Sequence, residues 1–146
     1  MPLVGAYEPS PSAWSRDSIA RYEASGGAEG GDMNGRRLVV LTSVGARSGH
    51  LRKVALIRIE HDGRYAIIAS KGGAPTNPSW FHNLKADHHV ELQDGPAKGD
   101  YFAHEATGAE KADWWARAVS ILRDFDSYQQ KTTRQIPVFV LEPQVP

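Results

Sequence analysis

Residues 69–86, ASKGGAPTNPSWFHNLKA, place a cation, bare backbone and large aromatics within a dozen positions. Gly72 and Gly73 follow a strand pattern and precede a helix pattern, so their backbone can approach a flat or anionic ligand with no Cβ in the way. Lys71 adds a mobile positive charge beside them. Trp80 and Phe81, on the first helical turn, can floor or wall a ring. The competing reading is a plain strand-to-helix loop with core aromatics, and the combination with Asn83 weighs against it. A second segment, GARSGHLRK at 45–53, brackets a turn with Gly45 and Gly49 and sets Arg47, Arg52 and Lys53 close by. Amides of such a turn can form an anion nest. An anion met by arginine gains roughly 1.5–3 kcal/mol per charge-assisted bond. A solvated basic turn is the alternative. It is not a Walker loop, because the lysine spacing differs and no helix follows.

Other chemistries find less support. His82, His88 and His89 lie near Asp87 and Glu91, but the spacing of a zinc helix is missing. No Gly-x-Ser-x-Gly elbow exists for a hydrolase. The acids Glu110, Asp113, Asp124 and Asp126 read as solvated surface. Tyr128, in a segment at 125–137 that reads as a loop, is a candidate proton donor or ring contact.

Several elements must position these groups. Residues 1–11 hold three prolines and read as a loose arm. Residues 12–24 read as a short helix with Ser12 as N-cap, and 25–35, with five glycines, as a loop. Strands are expected at 36–43 and 52–60, the second alternating Val54, Leu56 and Arg58 against Ala55, Ile57 and Ile59. His61-Asp62-Gly63 is a tight hairpin into a strand at 64–70. Asn77 followed by Pro78 predicts a capped helix start. Strands at 89–93 and 99–105 follow. Thr107 and Glu110 match a capping box ahead of a helix with a stripe of Ala112, Trp115, Val119 and Leu122. A closing strand is expected at 136–142. About six strands with short links favour antiparallel pairing, and with two or three helices outside they predict a small barrel of mainly β, α+β class. Residues 1–35 form an arm and short helix, and 36–146 the barrel, within one domain.

The 146 residues suffice to bury roughly 68–70% of the unfolded surface. Seventeen basic residues balance seventeen acidic ones and cysteine is absent. The balance argues against nucleic acid as a partner. No signal peptide pattern and no apolar run of spanning length occur, which, with the missing cysteines, predicts a cytoplasmic protein. Locally basic and globally neutral, the chain suits a small anionic ligand.

Gly45-Ala46-Arg47-Ser48-Gly49 with Leu51-Arg52, followed by A-x-x-ASKGGAP-x-x-P-x-W-x-x-NLKA, resembles the deazaflavin-dependent nitroreductase family, the coenzyme F420 branch of the flavin/deazaflavin oxidoreductases. The similarity runs from about residue 38 to 92 and more weakly through 107–142. The resemblance implies a split β-barrel and coenzyme F420, whose flat tricyclic head carries a phosphate-bearing tail of glutamates. It implies that Arg47, Ser48, Arg52 and Lys53 hold the tail. Ala55, Ile68, Ser70, Lys71, Gly72, Gly73, Trp80 and Asn83 would line the head, with Ser70 and Tyr128 as candidate catalytic groups. It also implies hydride transfer to a small electron-poor acceptor: a quinone, an enone or lactone, or a nitro compound. Members active on nitroimidazoles carry tyrosines where this chain has Leu122 and Phe125 and an aromatic where it has Ile57, which points to a drier acceptor pocket poorer in proton donors. FMN as the ligand, or binding of F420 without turnover, are the alternatives. A monomer or homodimer is expected, with no transmembrane segment. Residues 1–24 are available to pack over the pocket, on a membrane surface or on a partner.

Overall fold

The computed structural model describes residues 3–33 and 35–144. Among these it has eight strands and four α-helices, and every strand ladder is antiparallel. Helix α1 (Ala13–Ser25) begins at Ser12, whose Oγ accepts from the Ser15 amide at 3.3 Å. Strands β1 (Asp32–Met33), β2 (Arg36–Val44), β3 (Leu51–Ile57), β4 (Glu60–His61) and β5 (Arg64–Ile68) come next. Helix α2 (Ser79–Ala86), strands β6 (His89–Asp94) and β7 (Ala97–Glu105), helices α3 (Gly108–Ile121) and α4 (Asp124–Gln130), and strand β8 (Val138–Pro143) complete the chain. The sheet runs β1-β2-β6-β7-β8-β5-β4, with β3 on β2, and curls into a half-barrel.

Strand alternation distributes the apolar side chains between two cores. Val39, Leu41, Ile67, Phe139 and Leu141 face inward with Trp80 and Leu84 of α2. Their sequence neighbours Ala66, Ile68, Val138 and Val140 face the other way, against Trp114 and Ala118 of α3, Leu122 at its C-cap and Phe125 of α4. Val40 goes to a third cluster with Ile19 and Tyr22 of α1. Strands covered on both faces need apolar residues at every position, which is why LVVL, AII and VFVL read as continuous runs.

The expected strands and the 61–63 hairpin form, with local differences. The 52–60 strand breaks at Arg58-Ile59, where the Arg58 amide still donates to Arg37 O at 2.9 Å and its Nε donates at 2.8 Å to Asp94 Oδ2. Tyr65 donates to the same carboxylate oxygen at 2.6 Å, and burial, reinforced by that carboxylate, pushes its phenol well above the usual range. Residues 25–35 are not all loop, since Asp32 and Met33 pair with Arg37 and Arg36. Asn77 caps nothing. Pro78 precedes α2, and the Asn77 side chain is taken by Arg134. Thr107 makes no side-chain cap bond, and the Glu110 carboxylate, the other half of the expected capping box, turns to His104. Of the expected stripe, Trp115 and Val119 pack half-buried on the core and Leu122 is buried just past the helix end, while Ala112 is exposed and the fully buried residues of α3 are Trp114 and Ala118. The 125–137 segment holds α4, anchored by buried Phe125 and favoured by Asp124 and Asp126 in its first turn.

The arm is docked along the sheet. Tyr7 forms a parallel bridge with Leu51, the Glu8 amide donates to Leu51 O at 2.9 Å, and the Leu51 amide donates to Ala6 O at 2.8 Å. Tyr22 then fixes α1 to the β6–β7 turn: its hydroxyl accepts from the Gly95 amide at 2.8 Å and faces the carbonyls of Leu38 and Gln93 at 3.0 and 3.2 Å. Tyr22→Phe strands that amide in a site where Tyr22 is 1% exposed. The expected loss is about 1–3 kcal/mol of unfolding free energy, read as a lower thermal midpoint and denaturant midpoint at unchanged m.

Candidate functional site

The loop after β5 does something few chains do. Lys71, Gly72 and Gly73 have φ of 46°, 65° and 83°, three consecutive residues in the left-handed region. For Lys71 that conformation costs roughly 1–2 kcal/mol, so the surroundings must hold it. Arg134, in the segment before β8, does so. Its Nε donates to Ala74 O at 2.9 Å, and its Nη1 to Ala69 O at 3.1 Å and to Asn77 Oδ1 at 2.6 Å. Nη2 donates to Ser70 O at 2.8 Å. One planar guanidinium thus ties both ends of the turn and the entrance to α2. Burial lowers its pKa from the ordinary arginine value, yet the neutral form stays far out of reach. Gly73 is pressed on α4: a Cβ there would lie 2.7 Å from Tyr128 O and 3.1 Å from Tyr128 Cα.

The turn forms one wall of a cavity of about 840 Å³. Consecutive residues of β3, from Arg52 to Ile57, border it, as they can where a cavity opens along an edge strand. Ser70, Lys71 and Gly72 come from the turn, and Trp80 and Asn83 from α2. Leu122, Phe125 and Tyr128 close the side made by α3 and α4, and Trp14, Ser15 and Ser18 of α1 form the remaining side. Its two ends differ chemically. Arg52 and Lys53 stand at one end of β3. Ile57, Ile59, Ile68, Leu122 and Phe125 make the other apolar, and about 13 Å of strand separates Lys53 from Ile57.

Asn83 is mainly a brace: its Oδ1 accepts from the Ala46 amide at 2.9 Å and its Nδ2 lies 3.4 Å from Ser43 Oγ, pinning the 45–49 turn to α2. Trp80 is 6% exposed and meets Phe139 edge-on. Neither Ser70 nor Tyr128 uses its hydroxyl in a hydrogen bond among the described residues, and both border the cavity. Lys71 is exposed. Ala55 and Ile68 also border the cavity. Three predicted residues lie off it. Arg47 is exposed on the turn, Ser48 Oγ accepts from the His50 amide at 3.0 Å, and Gly73 is covered by α4.

The cationic end carries acids that sequence spacing did not reveal. Arg52 Nη1 is hydrogen-bonded to Glu8, which also meets His50 Nδ1 at 3.0 Å. His50's hydrogen bond, with Arg52's charge, holds the Glu8 carboxyl below the usual carboxylate range against the opposing effect of desolvation. Lys53 Nζ is 2.5 Å from Glu23 Oε2 and 4.7 Å from the centre of the Tyr7 ring.

Comparison with known proteins narrows the meaning of this cavity. The profile of the F420H(2)-dependent quinone reductases matches residues 14–143. The chain belongs to that family. This makes it an oxidoreductase with coenzyme F420 as cofactor. It is similar to an F420H(2)-dependent quinone reductase of Mycobacterium tuberculosis, 36% identical over 109 residues, covering 70% of this chain and 71% of the relative. A second protein of that organism, named as a putative reductase of the same kind, is 34% identical over 97 residues, 66% of this chain and 82% of its own. Among solved structures, the F420-H2-dependent reductase FDR-A is 46% identical with a TM-score of 0.69, covering 72% of this chain and 93% of that one. A structure described as a domain-swapped dimer is 42% identical with a TM-score of 0.72, covering 91% and 100%. The haem storage protein HutZ of Vibrio cholerae, 13% identical at a TM-score of 0.58, shares the fold.

For this family member, Gly73→Ala combines an unfavourable φ with backbone overlap and is expected to cost about 1–3 kcal/mol or more. Arg134→Lys replaces a five-donor fork by a point charge and leaves carbonyls of the turn unmet. Amides 71–74 should then exchange faster with deuterated solvent while the β-sheet amides keep their protection.

Proposed function

We propose that this chain transfers a hydride from reduced F420 to a quinone bound over the apolar end of the cavity. The observation that carries the reading is the polarity of that one cavity: two cations at one end of β3, a bare-backbone turn beside it, and an apolar recess at the other. The donor set suits the cofactor. Arg52 and Lys53 would take the phosphate-bearing tail. Ser70, Lys71, Gly72, Ala55 and Ile68 would line the head, with Trp80 as a wall and Asn83 holding the adjacent loop. Arg47, exposed in the same turn, and Ser48 stay outside the first contacts. Bound reduced F420 supplies the hydride; the protein supplies position, dryness and a proton.

Each contribution has a residue behind it. The left-handed turn brings main chain rather than side chain to the cavity, so a planar group can lie close. Ile57, Ile59, Leu122 and Phe125 exclude water around the acceptor, which strengthens local electrostatics. They also suit a quinone's apolar ring better than a nitro compound needing many donors, and further acceptor classes such as enones fit only as secondary substrates. Tyr128, with its hydroxyl uncommitted, is placed to give a proton to the acceptor oxygen, and Ser70 to hydrogen-bond the reacting pair. No helix among the described residues is long and apolar enough to cross a membrane.

The test is a fluorescence titration with F420, followed by anaerobic quinone reduction monitored by the reoxidation of reduced cofactor. Arg52→Ala with Lys53→Ala should weaken F420 binding and flatten its salt dependence, since two anion contacts at roughly 1.5–3 kcal/mol each would go. Tyr128→Phe should lower kcat by about 10²-fold with cofactor affinity nearly unchanged. Tighter binding of FMN than of F420, or F420 binding with no quinone turnover, would overturn the proposal.

A further inference from the structure

Of the cations that border the cavity, the two on β3, Arg52 and Lys53, are each held by an acid from the N-terminal segment. Glu8 lies 44 residues from Arg52, and Glu23 lies 30 residues from Lys53. The pairs are not deep structural ion pairs, since the Arg52 and Lys53 side chains keep 32% and 16% of their exposure. The arm that carries Glu8 rests on a single β-bridge at Tyr7, made of two backbone hydrogen bonds to Leu51, and on Lys53 over the Tyr7 ring. Arg16 of α1 holds only its far end, at the carbonyls of Ser10 and Pro11, whereas α1 is anchored separately by buried Ile19 and Tyr22. The arm can therefore lift while α1 stays packed. Glu23 needs only a rotamer change to release Lys53.

We infer that Glu8 and Glu23 are specificity-determining residues of the cofactor site: they act as internal counter-ions that bar small anions from Arg52 and Lys53 and yield to a chain bearing several anionic groups. This rests on the assignment of Arg52 and Lys53 to the cofactor tail. A tethered carboxylate competes with an effective concentration on the order of millimolar or higher. A single phosphate or sulfate must beat that at each cation and gains nothing from its first contact. A tail with several anions, once one is seated, presents the next at a comparable effective concentration, so it displaces both glutamates together. With two cations and two acids, the cluster also has no net charge to draw in stray anions from a distance. No covalent chemistry is involved; one set of ion pairs is exchanged for another, and the released carboxylates go to water.

The experiment titrates F420 by fluorescence into wild type and the Glu8→Gln, Glu23→Gln variant, with and without inorganic phosphate at constant ionic strength. Wild-type affinity should be indifferent to millimolar phosphate. The double variant should bind F420 on the order of tenfold more tightly in its absence, a gain of about 1.4 kcal/mol, and should lose that gain as phosphate is added. In wild type, F420 should also speed proteolysis within residues 3–11, and phosphate should not. Unchanged or weaker F420 affinity in the glutamine variant, or indifference of that variant to phosphate, would overturn the inference if Arg52→Ala with Lys53→Ala still weakens binding. If the alanine pair leaves F420 affinity unchanged, the tail assignment itself fails and this inference falls with it. Thermal midpoints of both variants within a few degrees of wild type show that folded protein is compared.

Discussion

Burial of both faces of the sheet is the constraint on which the rest of the molecule depends. β2, β5 and β8 carry apolar side chains on each side, because α2 and the curl of the sheet cover one face while α1, α3 and α4 cover the other. A sheet so covered leaves no open face for a ligand. What remains is an edge, and β3, paired on one side with β2, is that edge. The cavity follows from this: it opens along β3, and the helices that complete the cores become its far walls. The candidate site is the gap left at the margin of the packing, not a hollow within it.

Within that gap a single side chain sets the local geometry. Arg134 reaches from the segment before β8 to four acceptors on the chain between Ala69 and Asn77. Of the three left-handed residues in a row, Lys71 is the one that carries a backbone cost there. The guanidinium offsets that cost with charge-assisted bonds, and Gly73 lets α4 close on the turn without a clash.

Much of this was legible in the sequence, and what was not follows a pattern. Strand alternation, the Asp62-Gly63 hairpin, the Ser12 cap and the SKGG…W…NLKA string depend on neighbours a few positions apart, and they read correctly. The misreadings arise where a distant partner captures a side chain. Asn77 looks like a cap until Arg134, 57 residues away, takes its oxygen. Glu110 looks like half a capping box until His104 does the same. The 47–53 segment looks like an unbalanced positive cluster because nothing in spacing reveals that Glu8 and Glu23 fold back on it. Arg134 itself sits in KTTRQIP, a polar stretch with no periodicity or motif, so one-dimensional reading had no signal for it. Of the candidate site, the residue types were visible and the bracing between them was not.

The arm's seat on Leu51 has a consequence for the molecule outside its chemistry. The free side of β3 exposes backbone amides and carbonyls of the kind that recruit a strand from another molecule, and sheet proteins generally shield such edges. Ala6 to Glu8 occupy part of that edge by main-chain bonding. A chain shortened past Glu8 would free its cations but also bare a strand margin to its neighbours. The segment proposed to screen the ligand site therefore also covers part of that strand margin, and its prolines at positions 9 and 11 keep it from extending into a strand that could itself be joined.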